Sequence, residues 1–197
     1  MAADPHGTPG ETMAYVFVLL PALAVAWAIW TFNRLVRLRN QTRTAWADID
    51  VQLTRRHDLV PMLVESVKAY AGHEKALLEN VAALRAQAMT LKSPQQLGQV
   101  ESQLEQGLGR LFMLKEAYPD LKANQNFLKL QEELTATENR IGFARQHYND
   151  VVGQYNASLM RFPANILGNL FGFRQVEFFQ LDAAEAAAVR EAPQVKF

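Results

Sequence analysis

Apolar and polar positions fall into stretches of different rhythm along this chain. From Met13 to Phe32 (MAYVFVLLPALAVAWAIWTF) no charged residue occurs for 20 positions. A helix of that length spans roughly 30 Å, the thickness of a hydrocarbon core. Tyr15 near one end and Trp27 and Trp30 near the other suit the two aromatic belts of a bilayer. Pro21 is costly in a soluble helix but tolerated in a membrane helix. From Trp46 the apolar residues recur in alternating steps of three and four: Trp46, Ile49, Leu53, Arg56, Val60, Leu63, Val67, Tyr70, Glu74, Leu77, Val81, Leu84, Ala88, Leu91. Only Arg56 and Glu74 break the row, which predicts a coiled-coil seam on one long helix, kinked at Pro61.

Ser93-Pro94 interrupts that run. The spacing of Leu97, Val100, Leu104, Leu108, Leu111 and Leu114 predicts a second helix over Pro94 to Tyr118, stopped by Pro119 and Asp120. A third starts near Asn124 or Asn126, carries Phe127, Leu130, Leu134, Ile141, Tyr148, Val151 and Tyr155 on one face, and ends at Arg161-Phe162-Pro163. Short connections make neighbouring helices antiparallel. The fold class is therefore all-α: a single transmembrane helix followed by an antiparallel, coiled-coil-like bundle of three long helices and a short C-terminal segment. The first helix outruns the second, so Asn33 to about Ile49 is expected to stand free as a stalk.

After Pro163 the rhythm is lost. ANILGNLFGFRQVEFFQL holds Leu170, Phe171, Phe173, Phe178 and Phe179 among other large apolar residues, too dense a set to stay in water uncovered. It is expected to dock on a neighbouring subunit, to lie on the membrane, or to fold back on its own bundle. DAAEAAAVREA is marginally helical, and Val195 and Phe197 alternate like a short strap. The chain thus divides into a tail (1–12), the span (13–32), the bundle (33–162) and the Phe-rich end (163–197).

Charge fixes the expected orientation. Residues 1–12 carry no Lys or Arg, so there is no basic region of the kind that opens a signal peptide, and the apolar stretch reads as a retained anchor. Arg34, Arg37, Arg39 and Arg43 follow the span, which puts the N-terminus outside and the bundle in the cytoplasm. Lys+Arg and Asp+Glu tie at 20 each, without the electrostatic footprint of a nucleic-acid binder. The absence of Cys excludes disulfides, thiol catalysis and Cys-built zinc sites.

Motifs for chemistry fail in turn. His73-Glu74 opens like a zinc-protease HExxH, but Leu77 stands where the second His belongs. Gly107-Leu108-Gly109 lacks the third glycine and the preceding strand of a dinucleotide turn. His6, His57, His73 and His147 are scattered. No catalytic residue, metal site or cofactor is assigned. Arg56 and Glu74 on the seam, with Asp58 beside them, are read as interhelical ion pairs that fix register, the other reading being a polar groove for a ligand.

Three ordered strings, AWADIDVQLTRRHDLVPMLVESVKAYAGHE (45–74), EAYPDLKANQNFLKLQEELTATENRIGFARQHYNDVVGQYN (116–156) and FPANILGNLFGF (162–173), resemble the LemA family of bacterial membrane proteins. Arg55, Arg56 and Asp58 match the family's RR-x-DL element, and Glu116, Tyr118, Pro119 and Asp120 its EAYPDL turn. The resemblance implies a single-span, N-out, helical protein of the inner (cytoplasmic) membrane with no established catalytic residues. It also implies links to magnetosome membrane formation and, through neighbouring genes, to envelope maintenance. The expected function is a membrane-anchored, non-enzymatic scaffold that self-associates and organises the membrane. The alternative is an adaptor presenting a partner, such as a membrane protease, to its substrates. Expected partners are membrane lipid, further copies of the chain and envelope-maintenance proteins, but not nucleic acid.

Overall fold

A computed structural model of the protein describes residues 9–179, with side chains from Tyr15 onward. The expectations for residues 1–8, the Ala-rich stretch and the C-terminal strap lie outside the described residues. Every regular element among those described is helical: α1 (Pro9–Lys68), α2 (Lys75–Ala88), α3 (Pro94–Met113), a single 3-10 turn (Leu114–Glu116), α4 (Pro119–Ala123), α5 (Gln125–Met160) and α6 (Ala164–Leu170). The all-α class holds. The count of three long helices does not, because the first predicted helix is two.

The break falls at Ala69–Glu74, inside the heptad row. The Val67 carbonyl accepts from both the Tyr70 and Ala71 N–H groups, which tightens the last turn of α1. Ala71 is buried in the corner and Gly72, a weak helix former, follows it. The heptad arithmetic survives the turn by accident of spacing: Val81, Leu84 and Ala88 stay buried, while Tyr70 is exposed and Leu78 is buried more fully than Leu77. Pro61, by contrast, lies within an unbroken α1. Downstream, the second predicted helix ends early at Met113, and Pro119 opens α4 instead of closing α3. Asn124 caps α5 by accepting from the Asn126 and Phe127 N–H groups at 2.9 and 3.1 Å.

The described residues divide into two compact units, 9–41 with 154–175, and 42–153 with 176–179. In the second, α1 and α5 run antiparallel: Trp46 lies on Tyr148, Arg56 reaches Glu138, and Tyr70 accepts from Asn124. The α2–α3 hairpin closes over them, Gly107 of α3 lying so near Val81 of α2 that a Cβ there would stand 2.9 Å from Val81 Cγ2. The core between these helices is continuous from Ala45 to Phe179, with Ile49, Leu63, Val81, Leu104, Phe127 and Ile141 fully buried along it.

In the first unit, the exposed apolar length of α1 passes into a packed segment. Phe32 meets the rings of Phe171 and Phe173 edge-on at 4.9 and 5.7 Å, and Leu35 is buried. The expected free stalk is therefore packed along one face, at Phe32 and Leu35, while Asn33, Arg34, Arg37 and Gln41 stay exposed. The short α3 sets no limit here, because α5 is 36 residues long and its end packs in this unit.

Candidate functional site

The largest concentration of buried charge is built by one turn of α1. Arg56 is 1% exposed. Its Nη2 donates to Glu101 Oε2 of α3, and its Nη1 donates to Glu138 Oε2 of α5 at 2.5 Å. Beside it, His57 Nε2 lies 2.6 Å from the other Glu101 oxygen. Both oxygens of Glu101 are thus engaged by neighbouring residues of α1. Burial works against the Arg56 charge, but Glu101 and Glu138 outweigh it and raise its pKa above the ordinary guanidinium range. Burial likewise favours a neutral Glu101. The His57 hydrogen bond and the Arg56 charge prevail over it and hold the carboxyl below the usual range.

Helix α2 is tied to the same turn through the backbone. Pro61 has no N–H, so the carbonyl four residues earlier, that of His57, loses its helical donor. Arg85 of α2 supplies the replacement, its Nε donating to the His57 oxygen at 2.6 Å. Proline within a helix normally costs a hydrogen bond. Here the freed acceptor becomes the link between α1 and α2. The segment Arg56-His57 therefore touches α2, α3 and α5 at once.

Of the residues singled out from the sequence, Arg56 occupies the predicted interface, while Asp58 is exposed on the far side of its helix. Glu74 sits at the entrance to α2, makes no side-chain cap, and is not among the partners of Arg56. The true partners, Glu101 and Glu138, went unread. Glu101 lies between Val100 and Leu104, where a buried acid breaks the pattern of α3, and that is its only signal.

Glu138 is the member that meets solvent, at 29% side-chain exposure. It borders a groove of about 450 Å³ between α3 and α5, with Ser102, Glu105, Phe112 and Asn139 along its walls. No group of His, Asp and Glu among the described residues is arranged to hold a metal ion.

The Phe-rich segment divides between the two units. Phe179 is 2% exposed against Trp46, and its backbone N–H and C=O both pair with the Asn149 side chain at 2.9 and 3.0 Å. Tyr148 donates to the Glu177 carbonyl at 2.8 Å; burial first, and then the nearby Glu177 charge, push its hydroxyl up to about 12. Phe178 stays partly exposed. In the other unit Tyr155 donates to the Arg174 carbonyl at 2.9 Å, and Phe173 is buried beside Phe32. Leu170 and Phe171 remain exposed. Of the three expected fates, folding back describes Phe173 and Phe179.

The sequence profile of the LemA family matches residues 45–197, which takes in the ionic turn, the α2–α3 hairpin and the Phe-rich segment. The chain belongs to the LemA family. Protein LemA of Metamycoplasma hominis is 26% identical over 191 residues, covering 94% of this chain and 86% of that relative. Magnetosome protein MamQ 2 of Paramagnetospirillum magneticum is 23% identical over 198 residues, with 87% and 73% covered. MamQ of Magnetospirillum gryphiswaldense is similar at 21% identity. Among the described residues of this LemA-family chain one helix is long and apolar enough to cross a membrane, and its apolar part is almost wholly uncovered by the rest of the protein.

Proposed function

We propose that this LemA-family protein is a membrane-anchored, non-enzymatic helical scaffold that works as several copies in the bacterial inner membrane, its N-terminus outside and its bundle in the cytoplasm. The observation that carries the reading is the bare apolar surface of α1 from Tyr15 to Trp30. A soluble protein would bury such a surface, and a lipid core covers it without cost. The arginines at 34, 37, 39 and 43 set the orientation. Ala22 and Ala26, and likewise Ala24 and Ala28, stand four apart on this helix and let two copies approach closely within the bilayer. The ionic turn serves the scaffold by fixing the register of four helices; its two buried charges are spent on each other. Relatives named as magnetosome proteins are in keeping with a role in organising a membrane.

The test is the mass of the full-length protein in mild detergent and in nanodiscs, measured by light scattering across a range of concentrations. A discrete assembly larger than one chain is expected, and a monomer throughout overturns self-association. Crosslinking in cells separates the adaptor alternative, since an adaptor gives a heteromeric product where a scaffold gives mainly a homomeric one.

A further inference from the structure

The α5–α6 corner carries apolar surface that its own unit does not cover. Phe162 is 80% and Leu170 74% exposed, and Ile166 and Phe171 are also outward. Ile166 and Leu170 lie four apart and so share one face of α6. The opposite side is held down: Gly168 leaves room for Leu159, and a Cβ at 168 would collide with the Leu159 side chain. The end of α6 is pinned as well. Gly172 takes φ +69, its N–H bonds the Asn169 carbonyl at 3.3 Å, and the Phe173 N–H bonds the Gly168 carbonyl at 2.9 Å. That pair of bonds is the Schellman closure, and it turns Phe173 inward while leaving Leu170 and Phe171 outside.

The depth of this surface is set by Phe32. The Phe171 ring lies 4.9 Å from Phe32, the last apolar residue before Asn33 and Arg34. The corner therefore stands where the apolar length of α1 gives way to arginines. In the same unit Trp27, Trp30, Thr31 and Arg34 share a groove of about 160 Å³ with Arg161 and Phe162. The Arg34 guanidinium lies over the Trp30 ring at 5.6 Å, and neither Arg34 nor Arg161 has an acidic partner among the described residues. The Thr31 hydroxyl is buried there without a hydrogen-bond partner. Aromatic rings, outward aliphatic residues and unpaired cations at one level make an interfacial surface for lipid.

We infer that α6 and the corner before it form a second membrane contact, seated in the headgroup layer beside the span, with Arg34 and Arg161 receiving the phosphate of an anionic phospholipid. A second copy of the chain is the less suited occupant, because this surface is continuous with the bare apolar length of α1 and is edged by cations of one sign. The inference rests on the anchoring reading, and its test separates the two.

The chain has no Cys, so single cysteines can be placed and labelled uniquely. Nitroxide labels on L170C, I166C, L23C in the span and F143C on the exposed face of α5 would be read in full-length protein in phosphatidylcholine vesicles with and without phosphatidylglycerol. The readout is collision with oxygen against collision with an aqueous nickel chelate. Labels at 166 and 170 are expected to favour oxygen as the label at 23 does, while the label at 143 favours the chelate. If 170 behaves as 143 does while 23 stays lipid-exposed, the second contact is overturned and the anchor stands. If 23 is also aqueous, the anchor itself fails. A label at 170 shielded from both reagents means a protein contact and overturns the lipid assignment. For the headgroup, R34Q combined with R161Q is expected to lower phosphatidylglycerol retention by roughly tenfold to thirtyfold in native mass spectra, and unchanged retention overturns that part.

Discussion

Arg56 shows how a buried charge can specify a structure without adding much net stability. Removing a guanidinium and two carboxylates from water is expensive, and their mutual attraction roughly repays it. Removing one partner is different, because the others are left uncompensated. Arg56→Met is expected to cost about 3–5 kcal/mol, read as the thermal midpoint by circular dichroism in detergent. Glu101 gives the pH dependence. Its folded-state pKa lies below the ordinary value, so its stabilisation is complete above the unfolded carboxyl's pKa and is lost as pH falls through the folded one. The midpoint should therefore drop on acidification below about pH 4, and Glu101→Gln should flatten that limb. The Pro61 arrangement is tested by a double-mutant cycle. Arg85→Met is expected to cost about 1–3 kcal/mol in the natural chain and markedly less beside Pro61→Ala, where the restored N–H at position 61 can take the His57 carbonyl. Equal costs in both backgrounds would contradict it. Arg56 was legible in the sequence because it breaks an apolar row. Glu138 was not, since one acid among several on a long polar helix looks like any other.

At the scale of elements, small residues set how closely helices approach. Gly107 faces Val81 with no room for a methyl group, whereas Gly109 two positions later faces open space. Gly107→Ala should lower stability by about 1–3 kcal/mol through overpacking. Gly109→Ala should raise it by about 0.5–1 kcal/mol, since the backbone there is helical and nothing is displaced. The contrast is read from paired denaturant midpoints, and a gain at both positions would mean that the α2–α3 hairpin packs less tightly than described. The long apolar helix, α5 with its Asn124 cap and the buried face of α3 were all legible from spacing and cap residues. The turn at Ala69–Glu74 was not, because a corner of six residues left the next helix nearly in phase with the last and hid the reversal. Folding back was only one of three fates the sequence left open for the Phe-rich segment, because its partners, Tyr148, Asn149 and Tyr155, hold irregular backbone by side-chain hydrogen bonds, and no periodicity reports such a contact.

Across the whole molecule, labour is divided between an apolar helix left bare and charges closed in on themselves. The bare surface is given to lipid and to other copies, and the closed charges keep the helices in register. Everything proposed about scaffold and lipid contact depends on the first of these. The most direct check is alkaline carbonate extraction of membranes from cells making the full-length chain, followed by detergent. The protein should stay with the membrane pellet through the carbonate wash and leave it only when detergent dissolves the bilayer. Recovery in the carbonate supernatant would contradict the anchor and the readings built on it.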